Sequence, residues 1–330
     1  MPLLSFTDKG IYCERAKIYI DPWKPVDYAM ITHAHADHAR AGSKHYLSTS
    51  ASVPIIKHRL GHQISIEGVA YGEVRNINGV KFSFHPAGHI FGSAQIRVEY
   101  KGEVWVASGD YKLEDDGFST PFEPIKCNTF ITECTFGLPV FSWKNQREIF
   151  EEINQWWQSC KMNNKAAILC AYSLGKAQRL LQGVDTTIGN IYTHGAIENT
   201  NQLIREMGVH LNETTYLDSE EKKKSYAGSL ILAPPSVLGS AWLKKFRAFE
   251  TGMASGWMNI RGMRRRRSVD RGFVLSDHTD WPGLNQAIAA TRCQKVIVTH
   301  GYTSIFSQYL QEKGYEVAIE STEFEGEVVD

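Results

Sequence analysis

Thr32–His38 reads THAHADH, and this short segment gathers four side chains that ligate metals: His33, His35, Asp37 and His38. The run before it, Val26–Thr32 (VDYAMIT), reads as a strand, so the histidines sit on the loop that a strand delivers. Imidazole nitrogen and carboxylate oxygen suit zinc, and also manganese or iron. On an extended loop His33 and His35 point the same way and reach one ion, while Asp37 and His38 turn toward a second. The bland alternative is a solvated histidine-rich turn. So dense a set of ligand types weighs against it.

Working outward, three further segments carry the same chemistry. Pro86–Ser93 (PAGHIFGS) sets His89 among small residues that let the backbone approach closely. Ala107–Tyr111 (ASGDY) places Asp110 just after a strand, where its carboxylate can bridge two ions. Val298–Gly301 (VTHG) offers His300 in the same strand-end context. Each residue taken singly reads as a satisfied structural side chain. Their common placement at strand ends, where active sites gather, makes them a set.

The first third of the chain is rich in strand-like runs: Ala16–Asp21, Val80–Phe84, Ala94–Tyr100, Val104–Ala107 and Thr129–Thr132. Beyond Trp143 the pattern changes. Asn145–Lys161 has apolar residues at helical spacing, and Ala166–Ala171 (AAILCA) is a strand running into a helix over Ser173–Leu181. Residues 143–268 therefore read as an inserted α/β unit. A strand at Gly272–Leu275, a helix from Pro282, a strand at Lys295–Thr299 and a helix from Ser304 follow it.

The 330 residues carry 36 basic and 36 acidic side chains, a neutral balance that neither supports nor excludes a nucleic-acid partner. No apolar run approaches the roughly 20 residues of a membrane span, and the N-terminal stretch lacks a signal-peptide pattern. The six cysteines show no C-x-x-C spacing and read as reduced thiols, so a cytoplasmic protein without a membrane partner is expected.

HAHADH, then AGH, SGD and a late THG together resemble the metallo-β-lactamase superfamily, an αββα sandwich with metals at one sheet edge. Thr132–Phe136 (TECTF), Ser276–Asp280 (SDHTD) and the long insert are similar to the added motifs of its β-CASP branch, whose members cut DNA or RNA. Within that branch the chain resembles the bacterial DNA-ligase-associated exonucleases, the mRNA 3′-end processing factor-like group. The resemblance implies a discontinuous domain, 1–142 with 269–330, and an inserted β-CASP-like domain, 143–268. It implies that His33, His35 and His89 hold a first metal, that Asp110 bridges, and that Asp37, His38 and His300 complete a second site. Asp21, in YIDP, matches a buried carboxylate that supports the metal-bound histidines. Glu133 and His278 match the acid and the histidine of the added motifs, and with Asp37 form the catalytic set. Around Glu133 this chain departs from relatives, which commonly have a serine and a tyrosine there.

The function implied is a two-metal nuclease using zinc or manganese that leaves a 5′-phosphate, with His278 as general acid oriented by Glu133. A single-stranded DNA exonuclease in DNA repair, linked to a DNA ligase, is the first expectation; an RNA-processing endo- or exoribonuclease is the alternative. A small-molecule metallohydrolase needs no long insert between Asp110 and His300, and a non-catalytic scaffold would have lost ligands. Candidate substrate contacts are Lys176 and Arg179, at a helix start in SLGKAQR, together with His194 and the arginines Arg264, Arg265 and Arg266.

Overall fold

The computed structural model describes residues 2–217, 225–266 and 269–324. It divides into two compact units, one formed by the chain up to Ser142 and from His278 onward, the other by Trp143–Asp277. The expected division at 268/269 lies earlier. Arg271–Phe273 pairs in parallel with Phe249–Ala254, and this keeps it within the second unit.

In the first unit two sheets face each other. One runs in the order Ser5–Phe6, Ile11–Cys13, Ile18–Ile20, Tyr28–Met30, His45–Thr49, Ile66–Val69. The other runs Glu316–Ile319, Lys295–Gly301, Thr129–Cys134, Glu103–Ala107, Ala94–Tyr100, Val80–Pro86, Arg75–Ile77. Between them lies an apolar core in which Ile18, Ile20 and Met30 of the first sheet meet Phe82, Phe84, Ile96 and Val98 of the second. The helices Trp281–Thr291 and Thr303–Glu312 cover the outer face of the second sheet through Leu284, Ile288, Phe306 and Leu310. Helix Val53–Leu60 buries Ile55 and Ile56 beside Ile66–Val69. The layers are α, β, β, α.

Strand alternation explains the unbroken apolar run Val296–Val298 in a central strand. Val296 and Val298 enter the helix-side core while Ile297 enters the inter-sheet core, so both faces are buried. Thr129–Cys134 is parallel to both of its neighbours, Glu103–Ala107 and Lys295–Gly301. Val80–Pro86 runs the same way, being antiparallel to Ala94–Tyr100, which is antiparallel to Glu103–Ala107. The C-terminal ends of these strands therefore open on one edge, and His89, Asp110, Glu133 and His300 all lie at those ends.

The second unit is built on an all-parallel sheet, ordered Thr215–Tyr216, Ile191–Thr193, Leu230–Ala233, Ala166–Cys170, Phe249–Ala254, Arg271–Phe273. Ala167 and Leu169 enter one core with Trp157 of helix Gln146–Met162; Ala166, Ile168 and Cys170 enter the other. Among the described residues, no helix is long and apolar enough to cross a membrane.

Two glycines let the site segments pass close to neighbouring backbone. At Gly88, φ is +70° and an added Cβ would stand 2.1 Å from the Lys112 carbonyl oxygen. At Gly301, φ is +101° and the Cβ would stand 2.1 Å from the Cys134 carbonyl oxygen. Neither backbone oxygen can swing aside as a side chain would. Gly88→Ala should therefore cost about 1–3 kcal/mol or more, a melting temperature lower by at least roughly 2–4 °C. An unchanged melting curve would refute the close approach.

Candidate metal centre

Asp110 is the point on which the site converges. Its carboxylate is only 2% exposed, yet imidazole nitrogens stand around it. The Nε2 atoms of His33 and His38 each lie 3.5 Å from Asp110 Oδ2, that of His89 lies 3.9 Å away, and that of His278 lies 4.0 Å away. His300 Nε2 is 3.2 Å from Oδ1. His35 joins through Nδ1, 3.1 Å from His89 Nε2, and Asp37 Oδ2 lies 3.6 Å from His38 Nε2. Ligand atoms of His33, His35, His89 and Asp110 all fall within 4.8 Å of one another, a span that one ion bridges.

A second layer of hydrogen bonds sets which ring nitrogen faces inward. Asp21, held at φ +43°, accepts from Thr32 N at 2.8 Å, from Thr32 Oγ1 at 2.5 Å and from His38 Nδ1 at 2.8 Å. Because the Thr32 hydroxyl donates to Asp21, its oxygen is left to accept from His33 Nδ1 at 3.0 Å. Thr299 repeats the device. It donates to the Thr132 carbonyl at 3.2 Å and accepts from His300 Nδ1 at 3.0 Å. With Nδ1 engaged, Nε2 is the ring atom turned to the centre, and its lone pair would be the one to ligate a cation.

This arrangement answers whether the residues fit a metal. The Nε2 atoms of His33 and His38 are fully buried, and among the described residues neither has a hydrogen-bond partner. Buried polar atoms are rarely left so. A divalent cation would satisfy both, and the donor set of imidazoles and carboxylates suits zinc or manganese.

Electrostatics agree. Burial, with the His38 and His89 charges adding to it, holds His33 well below the usual imidazole range. Burial opposes the charged form of His38 too, but Asp110, Asp37 and the Asp21 hydrogen bond outweigh it and hold its pKa well above the ordinary value. Asp110 is held well below the usual carboxylate range: burial would raise it, but the His38 and His278 charges and the His300 hydrogen bond prevail.

Glu133, 1% exposed, faces the same carboxylate from its strand end. Its Oε2 is 2.8 Å and its Oε1 3.0 Å from His278 Nδ1, while Tyr111 N donates to Oε1 at 3.0 Å and Thr135 Oγ1 to Oε2 at 2.5 Å. His278 Nε2 is thereby turned toward Asp110.

The candidate substrate contacts lie in the second unit. Lys176 is buried, with Nζ 3.2 Å from Asp277 Oδ1 and 5.0 Å over the Tyr172 ring. Arg179 is buried, and its Nη1 donates to Gln146 Oε1 at 2.9 Å. His194 caps helix Gly195–Glu206, its Nδ1 accepting from Ala196 N at 3.1 Å; burial and the Lys245 charge lower its pKa. Arg265 is exposed. The side chains of Arg264 and Arg266, and Arg267 altogether, lie outside the described residues. Sequence reading gave no role to Thr32, Thr299 or Arg40. The signal for the two threonines was present, since each stands directly before a histidine of the centre.

No family model matches the chain. It is similar to a probable DNA ligase of Opitutus terrae, 26% identical over 310 residues that cover 93% of this chain and 30% of the ligase. It is also similar to the endoribonuclease YSH1 of Saccharomyces cerevisiae, 32% identical over 122 residues, 36% of this chain and 15% of that one. Cleavage and polyadenylation specificity factor 73 of Drosophila melanogaster is 29% identical over 122 residues, 36% of this chain and 18% of the relative. The chain thus spans less than a third of the length of each. In fold it resembles a crystal structure of a protein of unknown function from Enterococcus faecalis, with TM-score 0.60 and 10% identity over 89% of this chain and 79% of that one.

Asp110 and Asp37 hold the pKa of His38 above the ordinary imidazole value, so an ion taking its Nε2 competes with a proton for that atom. Zn²⁺ or Mn²⁺ should bind more weakly as pH falls, with proton release visible as a dependence of calorimetric heat on the buffer's ionisation enthalpy. At a hundredfold excess over Kd the ion should add about 2.7 kcal/mol of stability, and Asp110→Asn should abolish most of that gain. A variant that keeps the full gain would remove Asp110 from the ligand set.

Proposed function

We propose that this chain belongs to the β-CASP branch of the metallo-β-lactamase superfamily, a reading its likeness to the relatives above supports, and that it hydrolyses phosphodiester bonds of single-stranded nucleic acid, with DNA as its substrate. The observation that carries the reading is the buried convergence of His33, His35, His38, His89 and His300 on Asp110, with Glu133 and His278 beside it. His33, His35, His89 and Asp110 would hold one divalent ion; Asp37, His38, His300 and the same Asp110 would hold the second. Zinc is the ion we propose, with manganese as the alternative. Such ions, when bound, supply an activated water at neutral pH and offset negative charge on the phosphodiester.

The chain's own residues do the rest. Cleavage that leaves a 5′-phosphate expels a 3′ oxygen, and that oxygen needs a proton. His278 is the donor we propose, acting from Nε2, a role supported by the contact of its Nδ1 with Glu133. The Glu133 carboxylate fixes the ring's orientation and stabilises the imidazolium that donates, as a buried acid does for a catalytic histidine. Asp21 and Thr32 keep His33 and His38 in the tautomer that faces inward. Arg265, being exposed, offers a contact to a backbone phosphate.

DNA is favoured by the breadth of the likeness to the Opitutus terrae ligase, which runs over 93% of this chain. From it we propose an exonuclease serving DNA repair in functional association with a ligase. The likeness to YSH1 favours a second reading, an RNA-cleaving enzyme, though it covers 36% of the chain. End-labelled single-stranded DNA and matched RNA, incubated with the purified chain and Zn²⁺ or Mn²⁺, separate the two. We expect DNA to be shortened progressively from an end. Rapid cleavage of RNA with inert DNA would establish the second reading instead.

His278→Ala should slow cleavage by about 10²–10⁴-fold while the metal-to-protein ratio stays at the wild-type value. If bound metal were lost along with activity, His278 would be a ligand and the proton donor would have to be sought elsewhere.

A further inference from the structure

Phe324 brings an aromatic ring to the metal centre from the far end of the sequence. Its ring lies flat against the imidazole of His38, with centroids 4.2 Å apart and planes 13° from parallel. It meets His300 edge-on at 5.6 Å, and Trp23 meets it in turn edge-on at 5.7 Å. Arg40, just beyond His38, brings Phe324 to this place. Its Nη1 is 2.9 Å from Glu323 Oε2 and its Nη2 donates to the Glu323 carbonyl at 2.8 Å. The same guanidinium donates from Nε to the Asp37 carbonyl at 3.2 Å and from Nη1 to the Trp23 carbonyl at 3.4 Å. One side chain therefore ties the histidine-rich loop to the Glu323–Phe324 segment.

The need for such a contact follows from the geometry of the two rings. Their Nδ1 atoms are each held by a hydrogen bond, to Asp21 and to Thr299. A single such bond leaves rotation about the terminal torsion, which is broad and soft for histidine. A flat neighbour against the ring face removes that freedom. The space behind the rings, lined by Asp21, Thr32, His38, His300 and Phe324 among others, has a volume of about 10 Å³. That is at the lower limit for a single water, so removing the benzyl group would open the back of the centre to solvent.

We propose that Phe324, clamped by Arg40 through Glu323, is a positioning residue for the His38–His300 half of the centre and sets the affinity of the cation bound there. The proposal rests on the two-cation reading above. Supporting contacts behind metal ligands change affinity by about 10–100-fold, and that is the effect expected here.

The test is calorimetric titration of the full, chelator-stripped chain with ZnCl₂ and, separately, MnCl₂, alongside melting curves of the metal-free proteins. Wild type should take up two ions. In Phe324→Ala one ion should keep its affinity and the other weaken by about 10–100-fold, with Phe324→Tyr restoring it and Arg40→Ala weakening the same ion. Wild-type affinity for both ions in Phe324→Ala would overturn the proposal. Equal weakening of both, with a lowered metal-free melting temperature, would overturn it as well, since that is what general packing predicts. A wild-type chain that takes up no ion would instead bring down the two-cation reading, and this inference with it.

Discussion

A carboxylate buried to 2% exposure is the constraint that organises the first unit. An isolated charge in such a place costs several kcal/mol even after the surroundings relax, so Asp110 persists as an anion only because positive charge is held against it. The imidazoles of His38 and His278 and the hydrogen bond with His300 favour the carboxylate form of Asp110 against the burial that opposes it. The balance is one that a divalent ion would complete, because the Nε2 atoms of His33 and His38 are buried and, among the described residues, have no hydrogen-bond partner. The sheet then has to deliver every donor to one edge. It does so because the strands that end at His89, Asp110, Glu133 and His300 all run the same way.

Asp21 shows how far the surrounding structure is arranged for this end. A non-glycine residue at φ +43° carries a strain of about 1–3 kcal/mol. Aspartate is among the few side chains that tolerate this region, and here its carboxylate accepts three hydrogen bonds. Two of them run onward, directly to His38 and through Thr32 to His33. Strain in the backbone is thus offset by bonds whose effect is to fix the tautomers of two inward-facing imidazoles.

The part of this centre that could be read in the sequence is the part whose information is local. THAHADH, AGH, SGD and THG are short strings that follow strand-like runs, and the fold carries each to the centre around Asp110. The same holds for the parallel strand in the second unit, where AAILCA is buried on both faces and reads as an unbroken apolar run. What escaped reading depends on pairings between distant residues. The strand Arg271–Phe273 looks like a return to the first unit until its ladder with Phe249–Ala254 is known. Lys176 and Arg179 read as helix-start cations open to phosphate, whereas burial and the Asp277 and Gln146 contacts engage them inside the unit. Arg40 and Glu323 are paired across almost the whole chain, and no spacing rule brings them together.

The limits of a motif are clearest where the same three residues occur twice. Thr193–His194–Gly195 and Thr299–His300–Gly301 are identical strings at strand ends. In the second, the threonine hydroxyl donates to the Thr132 carbonyl and its oxygen accepts from His300 Nδ1, so Nε2 is the ring atom that faces Asp110. In the first, the hydroxyl donates to the Glu198 carboxylate and His194 uses Nδ1 to accept from Ala196 N at the start of a helix. The proton of His194 must then sit on Nε2, the opposite tautomer. Burial and the Lys245 charge also disfavour charge on this ring. One ring turns Nε2 to the buried carboxylate and the other caps a helix, and the two threonines before them differ in the acceptor each finds.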